Sequence, residues 1–482
     1  VHPVSGKFSG KGWRPLKSRI PVFYADDVFE GKPDPWFSGL PSEIRQCRYG
    51  RFPETKLVYD KLCDSDESYR IAPLDKYSMW NGVIKYDKLV YPLDGPTHDE
   101  CVTLLNWLDY LVGPCFQTCE QWTPAEAIEA LDKTKACGPP YCWIAGPTKG
   151  DALKHWDFID FWIHFWLYDQ CSNATLKDEL RHVSKLYSRL FIPANACMVT
   201  VGNYLFGAQN ESLSCTPSDT VQIGLSTPGP DAMNLWDRFS RAIGRFIQGD
   251  GKGHDTKLCL ALIIVAREFR KRHLNPKLWK AVDRFYDLTY CMHVNVRGHI
   301  LELLGQQSGQ SNTASDNTLI TLMLILLTYL RKGLGLNEFL ADLHVVMGDD
   351  FMLNSTHITE IDLDSTWNYC GMYLEIPGIN QKFSEMTFMG MRPWKDGYHY
   401  NVDRTFNSIN FYKAKRTVSQ RFDKLISLTQ NVYYSDMYEV VRGICVNYYK
   451  TNRHLMPPDE VHKLSLIQPF CLFKLYTGME LD

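Results

Sequence analysis

The stretch from Leu343 to Leu353 constrains this chain most. Apolar residues run up to Gly348, two acids follow at Asp349 and Asp350, and apolar residues resume at Phe351. That pattern predicts two short buried strands joined by a tight turn, with both carboxylates at its tip. Adjacent carboxylates between apolar strands repel each other and lose hydration, so they need water or a cation to neutralise them. Oxygen-only ligands on a rigid turn suit Mg²⁺ or Mn²⁺. A plain exposed turn is the competing reading, and the remainder of the chain has to decide between the two.

At 482 residues the chain is too long for one compact core, so two or three lobes are expected. Net charge is only −3, so a polyanion would need basic residues concentrated in a channel. Fifteen cysteines without framework spacing read as buried reduced thiols in a cytosolic compartment. Cys115 with Cys119 and Cys137 with Cys142 lack the second ligand pair that a zinc finger requires. The chain begins at Val1 without a signal-like segment, as a cleavage product of a larger precursor or a trimmed chain would. The apolar run Leu319 to Leu330 reads as a buried helix too short to cross a bilayer.

From the N-terminus, Gly6 to Arg14 alternates glycine, lysine and aromatic residues, the composition of a solvated arm. Helical spacing runs from Thr97 to Gly113, and a short helix from Ala125 to Leu131 follows Thr123-Pro124. Gly138, Pro139 and Pro140 then fix a rigid loop bearing Lys133, Thr134 and Lys135. The aromatic stretch Trp156 to Tyr168 reads as a core helix. Lys177, Arg181, Lys185 and Arg189 recur every four residues, as a helix stripe or as a hairpin-like arm before the strand at Leu190. Either geometry sets cations on one side, suited to a triphosphate.

A second acidic constellation follows. A short strand leads to Asp250, and Asp255 stands at the opening of a helix from Leu258 to Phe269, where an N-terminal cap is the alternative reading. Gly251 and Gly253 permit close backbone approach there. Ser308 and Gly309 lie in a loop of small and amide residues, and Thr313 and Asn317 share one face of the helix after it. Beyond the Asp-Asp turn, Ser384 to Pro393 reads as a strand, a turn and a break, and residues 404 to 482 are helical in texture.

In this order the motifs resemble those of the RNA-dependent RNA polymerase of a positive-strand RNA virus, of the picornavirus-like supergroup, with an astrovirus-like branch as one placement. Asp250 to Asp255 matches the first palm motif, Ser308-Gly309 with Thr313, Asn317 and Thr318 the second, and Gly348-Asp349-Asp350 the third. Lys177, Arg181, Lys185 and Arg189 resemble the basic fingers motif, and Thr134 with Gly138, Pro139 and Pro140 the loop that admits template. Met347 stands where many relatives carry tyrosine, and Phe388 to Arg392 matches the primer-grip turn only loosely. The first hundred residues are not covered.

The resemblance implies an α/β (α+β) right hand. Fingers would occupy 1–225 with an insertion at 273–300, palm 226–272 and 301–395, and a small helical thumb 396–482. It implies nucleotidyl transfer from a nucleoside triphosphate to an RNA 3′ hydroxyl, with two Mg²⁺ or Mn²⁺ ions held by Asp250, Asp349 and Asp350. Lys382 is the expected general acid. Lys177, Arg181, Lys185 and Arg189 would meet the triphosphate. Asp255, Ser308, Gly309, Thr313 and Asn317 would read the ribose, and Lys133, Thr134, Gly138 and Pro139 would meet the RNA. Implied partners are template and primer RNA, nucleoside triphosphates and a protein primer of the VPg kind. The implied setting is a viral replication complex in the host cytoplasm, with any membrane association through partners. Reverse transcriptase is the nearest rival, and a catalytically silent RNA-binding protein on the same fold is the other.

Overall fold

The computed structural model describes the strand residues 14–15 and 49–50 and residues 69–86, 95–116, 120–139, 141–155, 171–215, 219–225, 230–296, 299–380, 382–394, 397–400, 405, 408, 412–413 and 416–477. The arm at 6–13, the aromatic stretch at 156–168, Cys119 and Pro140 lie outside the described residues.

Four antiparallel strands make the central sheet: β1 (Arg245–Gly251), β2 (Leu343–Met347), β3 (Asp350–Ser355) and β4 (Leu374–Asn380), in the spatial order β2-β3-β1-β4. The apolar runs around Gly348 do form a hairpin, with Met347 paired to Asp350 and only Gly348 and Asp349 in the turn. Gly348 takes φ 67°, a left-handed conformation that suits glycine in so short a turn. Both central strands bury nearly every residue, as strands covered on both faces must.

Five helices build the core beside this sheet, α1 (Ala196–Cys215), α2 (Leu260–Arg272), α3 (Trp279–Tyr290), α4 (Thr313–Arg331) and α5 (Glu360–Tyr369), with α4 packed on β2 and α5 on β4. Every side chain of α4 from Ser315 to Tyr329 is buried. Each fully buried leucine or isoleucine there contributes roughly 2 kcal/mol. The expected Leu319–Leu330 run therefore extends into a helix of 19 residues, long and apolar enough by length and composition to cross a membrane, yet 83% buried within the protein. It is the core helix against which α2, α5 and β2 pack.

At its base the hairpin is pinned by Asp342. This carboxylate accepts from the Tyr329 and Ser355 hydroxyls, from the Thr356 N–H at 3.2 Å, and lies 3.0 Å from His357 Nδ1. His344, buried on β2, stacks on Phe339 at 4.0 Å between centroids.

Local readings outside the sheet are recovered closely. The helix His98–Leu111 starts at Thr97, whose N–H donates to Glu100 Oε2 at 2.7 Å in a capping box. A second box, Thr123 with Glu126, opens Pro124–Glu129. A separate sheet joins the strands Arg14–Pro15, His299–Leu304, Cys291–Val296 and Ser172–Asn173, so strand structure continues past residue 300 to Leu304. The C-terminal helices Val418–Asn431 and Tyr438–Asn452 close around their own core of Phe422, Leu425, Val441 and Cys445.

Candidate active site

Antiparallel register brings the two acidic motifs together. Asp350 opens β3 directly opposite Asp250 on β1, and the Gly251 N–H donates to the Asp349 carbonyl at 3.2 Å. Burial first, then the charges of Asp349 and Glu375, push the Asp250 carboxyl up to about 6. Asp350 is pushed up to about 7 by burial and then by Asp250 and Asp349. Burial raises Asp349 as well, while its own backbone N–H and Arg189 draw it back. Glu375, paired with Asp250 from β4, is a fourth acid that no sequence motif marks.

This donor set fits hard divalent cations. It offers only oxygen ligands, and Arg189 is the cation whose charge reaches Asp250 and Asp349. Among the described residues no three acidic, histidine or cysteine side chains are grouped so as to hold a metal ion by themselves.

Two hydroxyls of α4 fix the turn that carries the acids. The Gly348 N–H donates to Thr318 Oγ1 at 2.8 Å, and Thr321 Oγ1 donates to the Gly348 carbonyl at 2.8 Å. Three residues apart, they share one face of the helix. Sequence reasoning gave Thr321 no role; a threonine pair at that spacing was the available signal.

Beside the acids lies a polar recess. Asn317 Nδ2 donates to Asp255 Oδ1 at 3.0 Å and Ser308 Oγ donates to Asp255 Oδ2 at 3.1 Å. A carboxylate accepts and does not donate, so the amide nitrogen must face Asp255 and the amide oxygen must face away. That oxygen, Asn317 Oδ1, is buried and has no hydrogen-bond partner among the described residues. Asp255 is thus an orienting group with both oxygens engaged, not a helix cap; the short turn His254–Lys257 is capped by Gly253 at φ 64°. Thr313 Oγ1 donates to the carbonyls of Gln310 at 3.1 Å and Gln307 at 3.3 Å, tying the Ser308–Gly309 loop to the helix start. Tyr86 closes the recess, its hydroxyl held protonated by burial and by the charge of Asp255.

The basic segment is a hairpin-like arm and not a helix stripe. Thr175–Leu176 pairs with Leu190–Phe191, and the Lys177 N–H donates to the Arg189 carbonyl at 2.8 Å. Glu179 holds Lys177 at 3.2 Å and Arg189 at 3.4 Å. Arg181 is spent on the Tyr187 carbonyl, while Lys185 is exposed. Lys85, outside every motif, completes the group: desolvation lowers its pKa, and so do Arg181, Lys185, Arg189 and Lys252. Such crowding of cations invites an anion.

Two expectations are revised by position. Lys133 and Thr134 are exposed, Thr134 Oγ1 donating to Asp132 Oδ1 at 2.6 Å, whereas Pro139 is buried and its carbonyl accepts from Asn195 Nδ2 at 3.3 Å. Gly138 also packs on Asn195, so the glycine and proline anchor the loop that the exposed pair tops. Lys382 is not brought to the acids. β4 runs from Leu374 opposite Gly251 to Asn380 opposite Phe246. At ~3.3 Å per residue the chain has travelled more than ~13 Å from Asp250 before Lys382. The register gives no support to a general acid there.

Residues 113–409 match the family described as viral RNA-dependent RNA polymerase. The chain is 23% identical over 386 residues to the genome polyprotein of Sweet potato mild mottle virus (isolate Salazar), covering 72% of the chain and 10% of that polyprotein. It is 24% identical over 353 residues to the genome polyprotein of Zucchini yellow mosaic virus (strain Reunion Island), covering 66% and 11%. The chain spans about a tenth of the length of these curated relatives. In three dimensions it is similar to the Sicinivirus 3Dpol RNA dependent RNA polymerase, with a TM-score of 0.68 at 14% identity, over 88% of this chain and 98% of that one. That likeness gives the fold, a right-hand polymerase of mixed helix and strand.

Proposed function

The chain belongs to the viral RNA-dependent RNA polymerase family, and from that premise we propose how its own residues carry out template-directed RNA synthesis. The observation that carries the reading is the β1–β3 register, which sets Asp350 opposite Asp250 with Asp349 in the adjoining turn. A primer 3′ hydroxyl attacks the α-phosphorus of a nucleoside triphosphate, and pyrophosphate leaves. Asp250 and Asp349, assisted by Asp350, are the residues that would hold two Mg²⁺ or Mn²⁺ ions. Such ions, when bound, stabilise the attacking and leaving oxygens.

Arg189, Lys177, Lys185 and Lys85 offset charge on the triphosphate, with Glu179 spacing the first two. Thr318 and Thr321 keep the turn that bears Asp349 and Asp350 from shifting as substrate charge arrives. Asn317 Oδ1 accepts the ribose 2′ hydroxyl. A deoxyribose would leave that buried oxygen unpaired, which costs ~1–3 kcal/mol. Ser308 and Asp255 hold the amide in that orientation. The exposed Lys133 and Thr134 meet the template.

We assign fingers to 1–225 with an insertion at 273–300, palm to 226–272 and 301–395, and thumb to 396–482. Replication in the host cell is the setting that the polyprotein relatives support. A protein-linked primer and a cytoplasmic replication complex are our reading of its start and place.

Primer extension on a homopolymer RNA template, with and without Mg²⁺ or Mn²⁺, tests the proposal. Metal-dependent incorporation of ribonucleotides is expected. Incorporation of dNTPs but not NTPs would favour reverse transcription, and RNA binding without extension would favour a silent scaffold.

A further inference from the structure

Arg270 and Asp316 form an ion pair with side-chain exposures of 0% and 1%, at the start of α4. Arg270 Nε donates to Asp316 Oδ1 at 2.7 Å, Nη1 to Gln209 Oε1 at 3.0 Å, and Nη2 to Asn210 Oδ1 at 3.1 Å and Ser315 Oγ at 2.8 Å. The second Asp316 oxygen accepts from the Tyr286 hydroxyl at 3.0 Å, with Tyr290 at 3.5 Å. Phe206 sets its ring 5.2 Å from the guanidinium. Helices α2 and α3 thus converge on one carboxylate in the first turn of α4, and α1 holds the guanidinium that pairs with it.

That turn has no side-chain cap of its own. Asn312, at the capping position, instead uses its Oδ1 to accept from Asn210 Nδ2 at 2.9 Å, and its carbonyl accepts from the Asp316 N–H at 2.7 Å. The rotation of the first turn about its axis is therefore set from outside the helix, by this network. Successive residues stand about 100° apart around a helix. Asp316 faces the network, and Asn317, the next residue, faces Asp255. A roll that displaces one displaces the other.

The loop before the helix contrasts with this anchor. Gln306, Gln307, Gln310 and Ser311 each bury polar atoms that have no partner among the described residues. Ser311 lies on Gly202 of α1, where a Cβ would come within 2.0 Å of its Oγ. The loop acts on Asn317 through Ser308 and Asp255, whereas the rotation of the helix that carries Asn317 is held at Asp316. Buried ion pairs are poor stabilisers compared with well-packed apolar residues of like volume, and their best-attested use is to specify one arrangement.

We propose that the Arg270–Asp316 pair is a positioning element for sugar selection, setting the angle at which Asn317 presents its amide oxygen to the ribose. The inference rests on the reading of Asn317 as the ribose acceptor. It extends sugar discrimination to two residues that touch no substrate.

The test uses the full chain, with Asp316→Asn and the charge-free pair Arg270→Met with Asp316→Leu, alongside Asn317→Ala. For each, kcat and KM are measured for UTP and dUTP on a poly(A) template with a primer, together with RNA affinity and thermal unfolding. The charge-free pair guards against a single variant that fails to fold through an unpaired buried charge. The expected result is an unchanged RNA affinity and a fall in the UTP-over-dUTP ratio of kcat/KM on the order of tenfold, one hydrogen bond's worth. The loss should lie mainly in kcat for UTP. A ratio within about twofold of wild type in folded variants, when Asn317→Ala lowers it, would overturn the positioning role and leave the pair structural. An unchanged ratio in Asn317→Ala would overturn the ribose reading and the inference with it.

Discussion

Asn317 donates its amide N–H to Asp255 Oδ1 at 3.0 Å, and the consequence is an amide oxygen that is buried, oriented and without a partner among the described residues. The two residues come from different motifs, one after β1 and one in the first turns of α4. A polar atom left unpaired in a protein interior is expensive unless something arrives to use it.

Removing that acceptor should loosen sugar choice more than it slows synthesis. Asn317→Ala is expected to lower the UTP-over-dUTP preference by roughly 10- to 100-fold while retaining polymerisation. Asp255→Asn should act in the same direction, because an amide there can turn its own NH₂ toward Asn317. Steady-state comparison of the two nucleotides is the measurement, and unchanged discrimination in Asn317→Ala would contradict the assignment.

Asp349→Ala should abolish polymerisation and spare template binding, since the acids lie at the β1–β3 end of the sheet and the exposed Lys133 and Thr134 on a separate loop. Loss of at least 10³-fold in rate is expected from removing a principal charge-stabilising ligand. Asp350→Ala should cost less. Residual synthesis near wild type with either Mg²⁺ or Mn²⁺ would remove Asp349 from the site.

The acid cluster has a signature in stability as well. Asp250 at about 6 and Asp350 at about 7 bind protons in the fold more tightly than an unfolded aspartate at roughly 3.9. Folding is then favoured by protonation, so this contribution falls as pH rises from about 4 to about 7 and is constant above. Asp350→Asn should raise the unfolding temperature at pH 8, by on the order of 1–2 °C, and leave it unchanged near pH 4. Added Mg²⁺ should stabilise wild type more at pH 8 than at pH 5. The buried His254 and His344, pushed down to about 4 and about 3 by burial, work oppositely and cost stability as pH falls below about 6.5. The variant-minus-wild-type difference therefore isolates the acids. A shift of equal size at both pH values would show that it does not arise from this titration.

Thr318→Val keeps volume but removes the acceptor for the Gly348 N–H, and Thr321→Val removes the donor to its carbonyl. Each should destabilise by ~1–3 kcal/mol if the freed Gly348 group stays dry. Rate should fall with little change in KM for nucleotide, because the hydroxyls hold ligands and do not touch substrate. A rise in KM at constant kcat would argue for a binding role instead.

Much of this molecule was legible because its signals are local. Alternation of apolar and acidic residues around Gly348, the Thr123-Pro124 start signal and the order of short motifs each depend on residues within one turn or one strand. Those signals led to the hairpin, the helices and the family, and left the basic segment open between a helix stripe and an arm. Register and helix rotation belong to the tertiary structure. They decided that Glu375 joins the acids, that Thr318 and Thr321 grip the turn, and that Lys382 lies at the far end of β4. They also placed Arg270 beside Asp316, 46 positions apart in sequence. No local pattern encodes which strand residue faces which, or the angle at which a helix meets its neighbours. Those are set when distant apolar faces pack and buried polar groups find partners, and only the assembled core satisfies both at once.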